Sequence, residues 1–95
     1  MPSVYKLTEN CDETSALYYA SIEGLSAAIY HEFTGYLIDK DIPYESRDIS
    51  MLVTPKVLLE ELNKHSTIYE KYPKNVKIIS QDNYTLYISE YRLNP

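Results

Sequence analysis

The sequence predicts an α+β domain in which one antiparallel sheet carries two helices packed on one face, in the order ββααββ. Three observations carry that expectation. Ile22, Leu25, Ile29, Phe33 and Tyr36 recur at about 100° per residue, with Leu37 beside them, which is the stripe of an amphipathic helix. Thr54-Pro55 opens a second helical stretch, with Thr as the cap and Pro at the first helical position. Residues 75–80 and 84–93 flank the polar triplet Gln81-Asp82-Asn83 as the two arms of a hairpin. Ninety-five residues suffice for one domain, 1–95, with a single modest core.

The first element, Ser3 to Glu9, is rich in β-branched and aromatic residues and reads as a strand. Asn10-Cys11-Asp12-Glu13 is turn-like, and Ser15 to Ala20 reads as the returning strand. Ala and Leu also favour helix, so a helix reaching back to Glu13 is the alternative there.

The first helix starts behind Ser21, a good N-cap, and ends near Asp39–Asp41, because Pro43 biases Ile42 away from helical geometry. Ile29 and Phe33 lie at the centre of its stripe and are expected to be buried. Gly24, Ala28, His31 and Gly35 line the other side at i, i+4, i+7, i+11. Glycine in a helix costs about 1 kcal/mol relative to alanine. Two on one face suggest close approach by a neighbour, the second helix before a partner chain.

Residues 39–53 read as a polar connection containing Asp39, Asp41, Glu45 and Asp48 with little apolar content. The second helix carries Val57, Leu58, Leu59 and Leu62 and runs to about His65. A loop with Tyr69, Tyr72 and Pro73 leads to the closing hairpin. On its last strand Tyr84, Leu86 and Ile88 share one side, and Thr85, Tyr87, Ser89 and Tyr91 share the other. The leucine side is expected to face the helices.

Composition narrows function by exclusion. A hydrophobic fraction of 44% with 24% charged residues is that of a folded globular chain. Eleven Tyr stand beside one Phe and no Trp. Each Tyr hydroxyl needs a partner or water, so such rings favour core boundaries and interfaces. The net charge of −5 is uneven. Residues 1–50 hold nine acids against three bases, a net of −6, whereas residues 51–95 hold five against six, a net of +1. An acidic face repels phosphate, which disfavours direct contact with nucleic acid or anionic membrane, and attracts basic protein surfaces. One cysteine, Cys11, makes no internal disulfide and suits a reducing, cytoplasmic compartment. The N-terminus is not a signal peptide and no apolar run reaches membrane-spanning length. Asn83-Tyr84-Thr85 matches a glycosylation sequon, but without a secretion signal it reads as a turn.

No catalytic constellation emerges. His31-Glu32-Phe33-Thr34-Gly35 starts like a zinc-protease helix, yet Gly35 stands where the second histidine belongs. His31 and His65 with a carboxylate make a thin case for a metal, so no metal or cofactor is expected. Cys11 has acidic neighbours in sequence, Asp12 and Glu13, and no basic one, which works against a nucleophile. Both glycines fall inside a helix, leaving no phosphate loop. Paired carboxylates such as Asp39/Asp41 and Glu60/Glu61 need an enclosing pocket to become catalytic. Lys71 to Lys77, with Tyr72, is a short basic stretch suited to a single strand of nucleic acid, against an acidic background.

The expectation is therefore a non-enzymatic inhibitor or adaptor that docks on a basic, possibly nucleic-acid-binding, surface of another protein. Its contact residues would be Asp39, Asp41, Glu45 and Asp48 with Tyr36 or Tyr44 as anchor, and Tyr87 and Tyr91 of the last strand. In size, acidity and Tyr content the chain resembles, in general type, phage anti-defence proteins such as anti-CRISPRs and other nucleic-acid mimics, with no motif behind the resemblance. The alternative is an assembly subunit, homodimeric through the small-residue side of the first helix or through the last strand. A small metal-dependent enzyme ranks third.

Overall fold

The computed structural model describes residues 3–65 and 74–92. Four strands form one antiparallel sheet: β1 (Ser3–Glu9), β2 (Leu17–Tyr19), β3 (Val76–Gln81) and β4 (Tyr84–Arg92), in the order β2-β1-β4-β3. Three helices complete the chain: α1 (Ile22–Asp39), α2 (Ser46–Leu52) and α3 (Pro55–His65). The α+β class and the single sheet with helices on one face are as the sequence predicts. The difference is α2, a two-turn helix inside the stretch expected to be a polar connection. The loop with Tyr69, Tyr72 and Pro73, the Lys71–Pro73 part of the basic stretch, and Leu93 lie outside the described residues.

β1 and β2 are joined by a tight turn in which Asn10 and Cys11 both adopt left-handed backbone, φ 52° and 58°. Asp12 N–H closes the turn on the Glu9 carbonyl at 2.9 Å. Asparagine tolerates that conformation and cysteine does so less readily, so the turn needs outside support. Asn10 supplies it: its backbone N–H donates to the Thr85 carbonyl at 2.8 Å, and its Oδ1 accepts from Thr85 N–H at 2.9 Å. A single 3₁₀ turn at Glu13–Ser15, capped by Asp12 Oδ1, then leads into β2. Residues 13–21 are thus neither the full strand nor the helix weighed for them.

Ser21 Oγ accepts from Gly24 N–H at 3.0 Å and starts α1. A Cβ on Gly24 would come within 3.1 Å of that hydroxyl, so glycine there leaves room for the cap. The α1 stripe is as expected: Leu25 and Ile29 are fully buried, with Ile22, Phe33 and Leu37 close behind. The small-residue side is not the helix contact. Among the described residues nothing lies within 4 Å of where a Gly35 Cβ would be. The polar link to the later helices comes instead from Ser26, whose hydroxyl donates to the Val53 carbonyl.

α1 stops in a Schellman pattern. Ile42 N–H reaches the Leu37 carbonyl at 2.9 Å and Asp41 N–H reaches Ile38 at 3.1 Å, with Asp41 left-handed at φ 54°. Ile42 and Tyr44 then lie against the core, Ile49 of α2 is buried in it, and Val53 is 1% exposed. Val57 N–H donates to Thr54 Oγ1 at 3.2 Å, confirming the cap expected for α3. On the sheet, Leu7, Val76, Ile79, Tyr84, Leu86 and Ile88 face these helices and complete the core. Gln81 pairs with Tyr84 across the Asp82-Asn83 turn, and a bulge between Lys77 and Ile79 adds one residue to β3.

Candidate functional site

The acidic end of the helical layer is built by the α1 stop and the α2 start. Asp39 closes α1, Asp41 occupies its left-handed exit, Glu45 is the N-cap residue of α2, and Asp48 sits in the first turn of α2. All four are exposed, and among the described residues none forms an ion pair. Two have a local structural reason. Carboxylates at Glu45 and Asp48 complement the partial positive charge of a helix N-terminus. The connection is therefore less empty structurally than its sequence suggests. Three large apolar side chains are exposed on the same elements: Ile38, Met51 and Leu52.

The two aromatic anchors are committed inward. Tyr36 stacks on Tyr84 with ring centroids 4.2 Å apart and planes 7° apart, and Phe33 stacks on Tyr84 at 6.1 Å. Tyr44 is half-buried against the core. What Tyr36 and Tyr44 offer a partner is their remaining edge.

Tyr87 and Tyr91 lie on the opposite face of the sheet, both half-buried. Their neighbours there are Thr8 opposite Tyr87, and Lys6 opposite Ser89. Lys6 is only 4% exposed, although among the described residues no α-helix covers that face. Its Nζ donates to Glu13 Oε1 at 2.9 Å and to the Tyr91 hydroxyl at 3.3 Å, and lies 5.5 Å from the Tyr91 ring centre. Burial pulls the Lys6 pKa down, but the Glu13 and Tyr91 hydrogen bonds outweigh it and the net shift is upward. Thr8 Oγ1 and Ser89 Oγ are buried there without hydrogen-bond partners. The structure thus separates the expected contact residues into two groups with the sheet between them.

A third feature escapes sequence reading. At the edge where β1, β2 and α1 meet, a cleft of about 220 Å³ is lined by Leu7, Glu9, Ser15, Leu17, Glu32 and Leu86. Glu9 ends β1 and Glu32 lies mid-way along α1, so only the fold brings them together. Leu17 remains 46% exposed on the cleft wall. On the core side of β4, Tyr84 is 5% exposed and its hydroxyl has no hydrogen-bond partner among the described residues. Burial first, then the Glu32 and Glu9 carboxylates, push the Tyr84 pKa well above the ordinary phenol value. Burial and Glu32 likewise raise Tyr19.

Among the described residues no three His, Cys, Asp or Glu side chains gather as a metal site needs. His31 is exposed beside the Tyr30 ring, and His65 is exposed at the end of α3. Among the same residues no helix is long and apolar enough to cross a membrane. Comparison with protein-family models, curated proteins and solved structures gives no match to this chain.

Proposed function

We propose that the protein is a non-enzymatic inhibitor or adaptor, of the general type of phage anti-defence proteins, that docks its acidic end on a basic surface of another cytoplasmic protein. One observation carries the reading: Asp39, Asp41, Glu45 and Asp48 are concentrated where α1 gives way to α2, all exposed and outnumbering Lys40 and Arg47 of the same stretch, with none in an ion pair among the described residues. Such a field raises the encounter rate with a basic surface and rejects anionic ligands. Ile38, Met51 and Leu52, exposed on the same two helices, supply the apolar contact that charge alone lacks. Tyr36 and Tyr44 contribute their exposed edges.

A homodimer through the same end is the second reading, favoured by those three apolar side chains. A two-fold contact would set like charges against each other, which ranks it behind a basic partner. Affinity capture from the native cell, read by mass spectrometry, tests the first reading. Proteins with basic surfaces should be retained at low salt and released as salt rises past the screening range. Neutralising the four acids (Asp39→Asn, Asp41→Asn, Glu45→Gln, Asp48→Asn) should abolish that capture. Capture that is unchanged in this variant at low and high salt defeats the proposal.

A further inference from the structure

We propose that the outer edge of β2 pairs antiparallel with the same edge of a second copy of this chain, joining two sheets into one about a two-fold axis at Tyr18. The pairing is independent of the acidic end. In the order β2-β1-β4-β3 the sheet has two edges, β2 and β3, and they differ in kind. β3 carries devices that keep an edge from pairing: exposed Lys77, with exposed Lys74 ahead of it, and a bulge between Lys77 and Ile79. β2 has no lysine, no proline and an unbroken register with β1. Its only protection is its length of three residues. Two of those three are large side chains left in solvent, Leu17 at 46% and Tyr18 at 60% exposed.

The strand is held firmly at both ends. Ahead of it, the turn is pinned to β4 by the Asn10–Thr85 hydrogen bonds of 2.8 and 2.9 Å. The 3₁₀ turn is tied to β1 by Lys6 Nζ, which donates to Glu13 Oε1 at 2.9 Å. Behind it, Ser21 caps α1. An edge fixed in its paired geometry loses little freedom when another strand adds to it.

The occupant follows from the sequence of the edge. Ser15-Ala16-Leu17-Tyr18-Tyr19-Ala20-Ser21 reads nearly the same in both directions, and antiparallel pairing reverses direction. With Tyr18 on the axis, each Tyr18 meets its own copy and each Leu17 meets a Tyr19. Tyr18 lies opposite Lys6, on the side away from the α-helices, whereas Leu17 and Tyr19 lie opposite Leu7 and Tyr5 on the helix side. A two-fold axis normal to the sheet keeps those sides in common. Aromatic then meets aromatic on one face and leucine meets tyrosine on the other, pairs that stabilise neighbouring strands.

Charge permits the contact. No charged residue occurs from Thr14 to Ser21, so the edge sets no like charges opposite each other. Glu13, just ahead, is already paired with Lys6. The acidic end sits at the far end of α1, whose eighteen residues span about 27 Å, well beyond the screening length of about 8 Å at physiological ionic strength. Three residues make few main-chain hydrogen bonds, so the interface is small and the dimer transient.

Sedimentation velocity of the intact protein tests this, from about 0.01 to 1 mM, with a Kd of about 0.1–1 mM expected. Tyr18→Glu sets two carboxylates on the axis while facing Lys6 within its own chain, so the fold is kept and pairing should weaken by about fivefold or more. Raising salt should not weaken the dimer, because copies of net charge −5 repel each other, whereas capture by the acidic end is lost with salt. In a Cys11→Ser background, Tyr18→Cys should cross-link copy to copy under mild oxidation, since a residue on the axis faces itself at a Cβ separation of about 4.5–5.5 Å. Lys77→Cys on the other edge should not cross-link. A chain that stays monomeric over that range, a dimer indifferent to Tyr18→Glu or dissolved by salt, or equal cross-linking at both positions overturns the proposal. The acidic-end reading fails separately, because its four-residue variant leaves β2 untouched.

Discussion

Tyr84 shows how one side chain serves packing and carries an electrostatic cost. Its ring lies 4.2 Å from Tyr36 and 6.1 Å from Phe33 in a near-parallel cluster of three rings, in which Phe33 and Tyr36 are themselves 6.5 Å apart. Its hydroxyl is buried with no partner, which costs on the order of 1–3 kcal/mol. Burial, with Glu32 and Glu9, raises the pKa in the folded state above the ordinary phenol value of about 10. For an acid with a raised folded pKa, the unfolded chain ionises first. The stability is intact below about pH 10 and drains away as pH climbs from there toward the folded pKa. Tyr84→Phe keeps the ring and deletes both liabilities. It should melt higher at pH 7, and its loss of stability above pH 10 should be shallower than that of the parent. Tyr5 and Tyr19, also raised by burial, leave some alkaline loss in the variant. Melting curves from pH 7 to pH 11 check this. A lower melting temperature at pH 7 would show that the hydroxyl has a partner after all.

Among the elements, legibility follows length and periodicity. α1 spans eighteen residues, enough for the 3.6-residue repeat to show and for Ser21 and Pro43 to bracket it. Thr54-Pro55 marks α3 by chemistry rather than repeat, and the β3–β4 hairpin shows by the alternation of its last strand behind a polar turn, read as Gln81-Asp82-Asn83 although Gln81 still pairs with Tyr84 as the end of β3. α2 has seven residues and one buried side chain, Ile49, which cannot create a period, and Arg47, Asp48 and Ser50 around it look like loop. The small-residue side of α1 misleads because glycine spacing says that room exists and not that a neighbour fills it. At Gly35 none does. The four acids of the connection were legible as a cluster, whereas the Glu9/Glu32 cleft was not, since twenty-two positions of chain separate its carboxylates. If α2 is a structural element and not a passive link, Ile49→Ala should cost about 2–5 kcal/mol, as for a buried aliphatic truncation. Its removal should also loosen Val53 and the Ser26 contact. Denaturant unfolding gives the number, and a change below about 0.5 kcal/mol would return residues 46–52 to the status of a surface loop.

At the scale of the molecule, the sheet divides two surfaces of different character. One side holds the helices, the acidic end and the cleft. The other holds Tyr87 and Tyr91 over polar side chains that, among the described residues, have no α-helix above them. Lys6, Thr8 and Ser89 are each less than 5% exposed there, a degree of burial that an open sheet face does not give small and charged residues by itself. Their large neighbours are Tyr87, beside Thr8, Tyr18, beside Lys6 on β2, and Tyr91, which hydrogen-bonds Lys6. The rings thus act as a thin outer layer over Lys6, while its partner Glu13 stays 58% exposed and keeps the ion pair in contact with water. A contact surface and a structural layer respond differently to the same change. Tyr87→Ser combined with Tyr91→Ser should expose Lys6 and cost about 1–3 kcal/mol, since ring area and the Lys6 hydrogen bond go together. For a domain of this size that is a fall in melting temperature of roughly 5–20 °C. The sheet lies between this face and the acidic end. A partner held by the acidic end should therefore bind the folded double variant with unchanged affinity, well below its melting temperature. Calorimetric melting with a binding isotherm at low temperature measures both. A melting temperature that stays fixed while affinity collapses would reverse the assignment, making the tyrosine face the docking surface and leaving the acids as solvated helix ends.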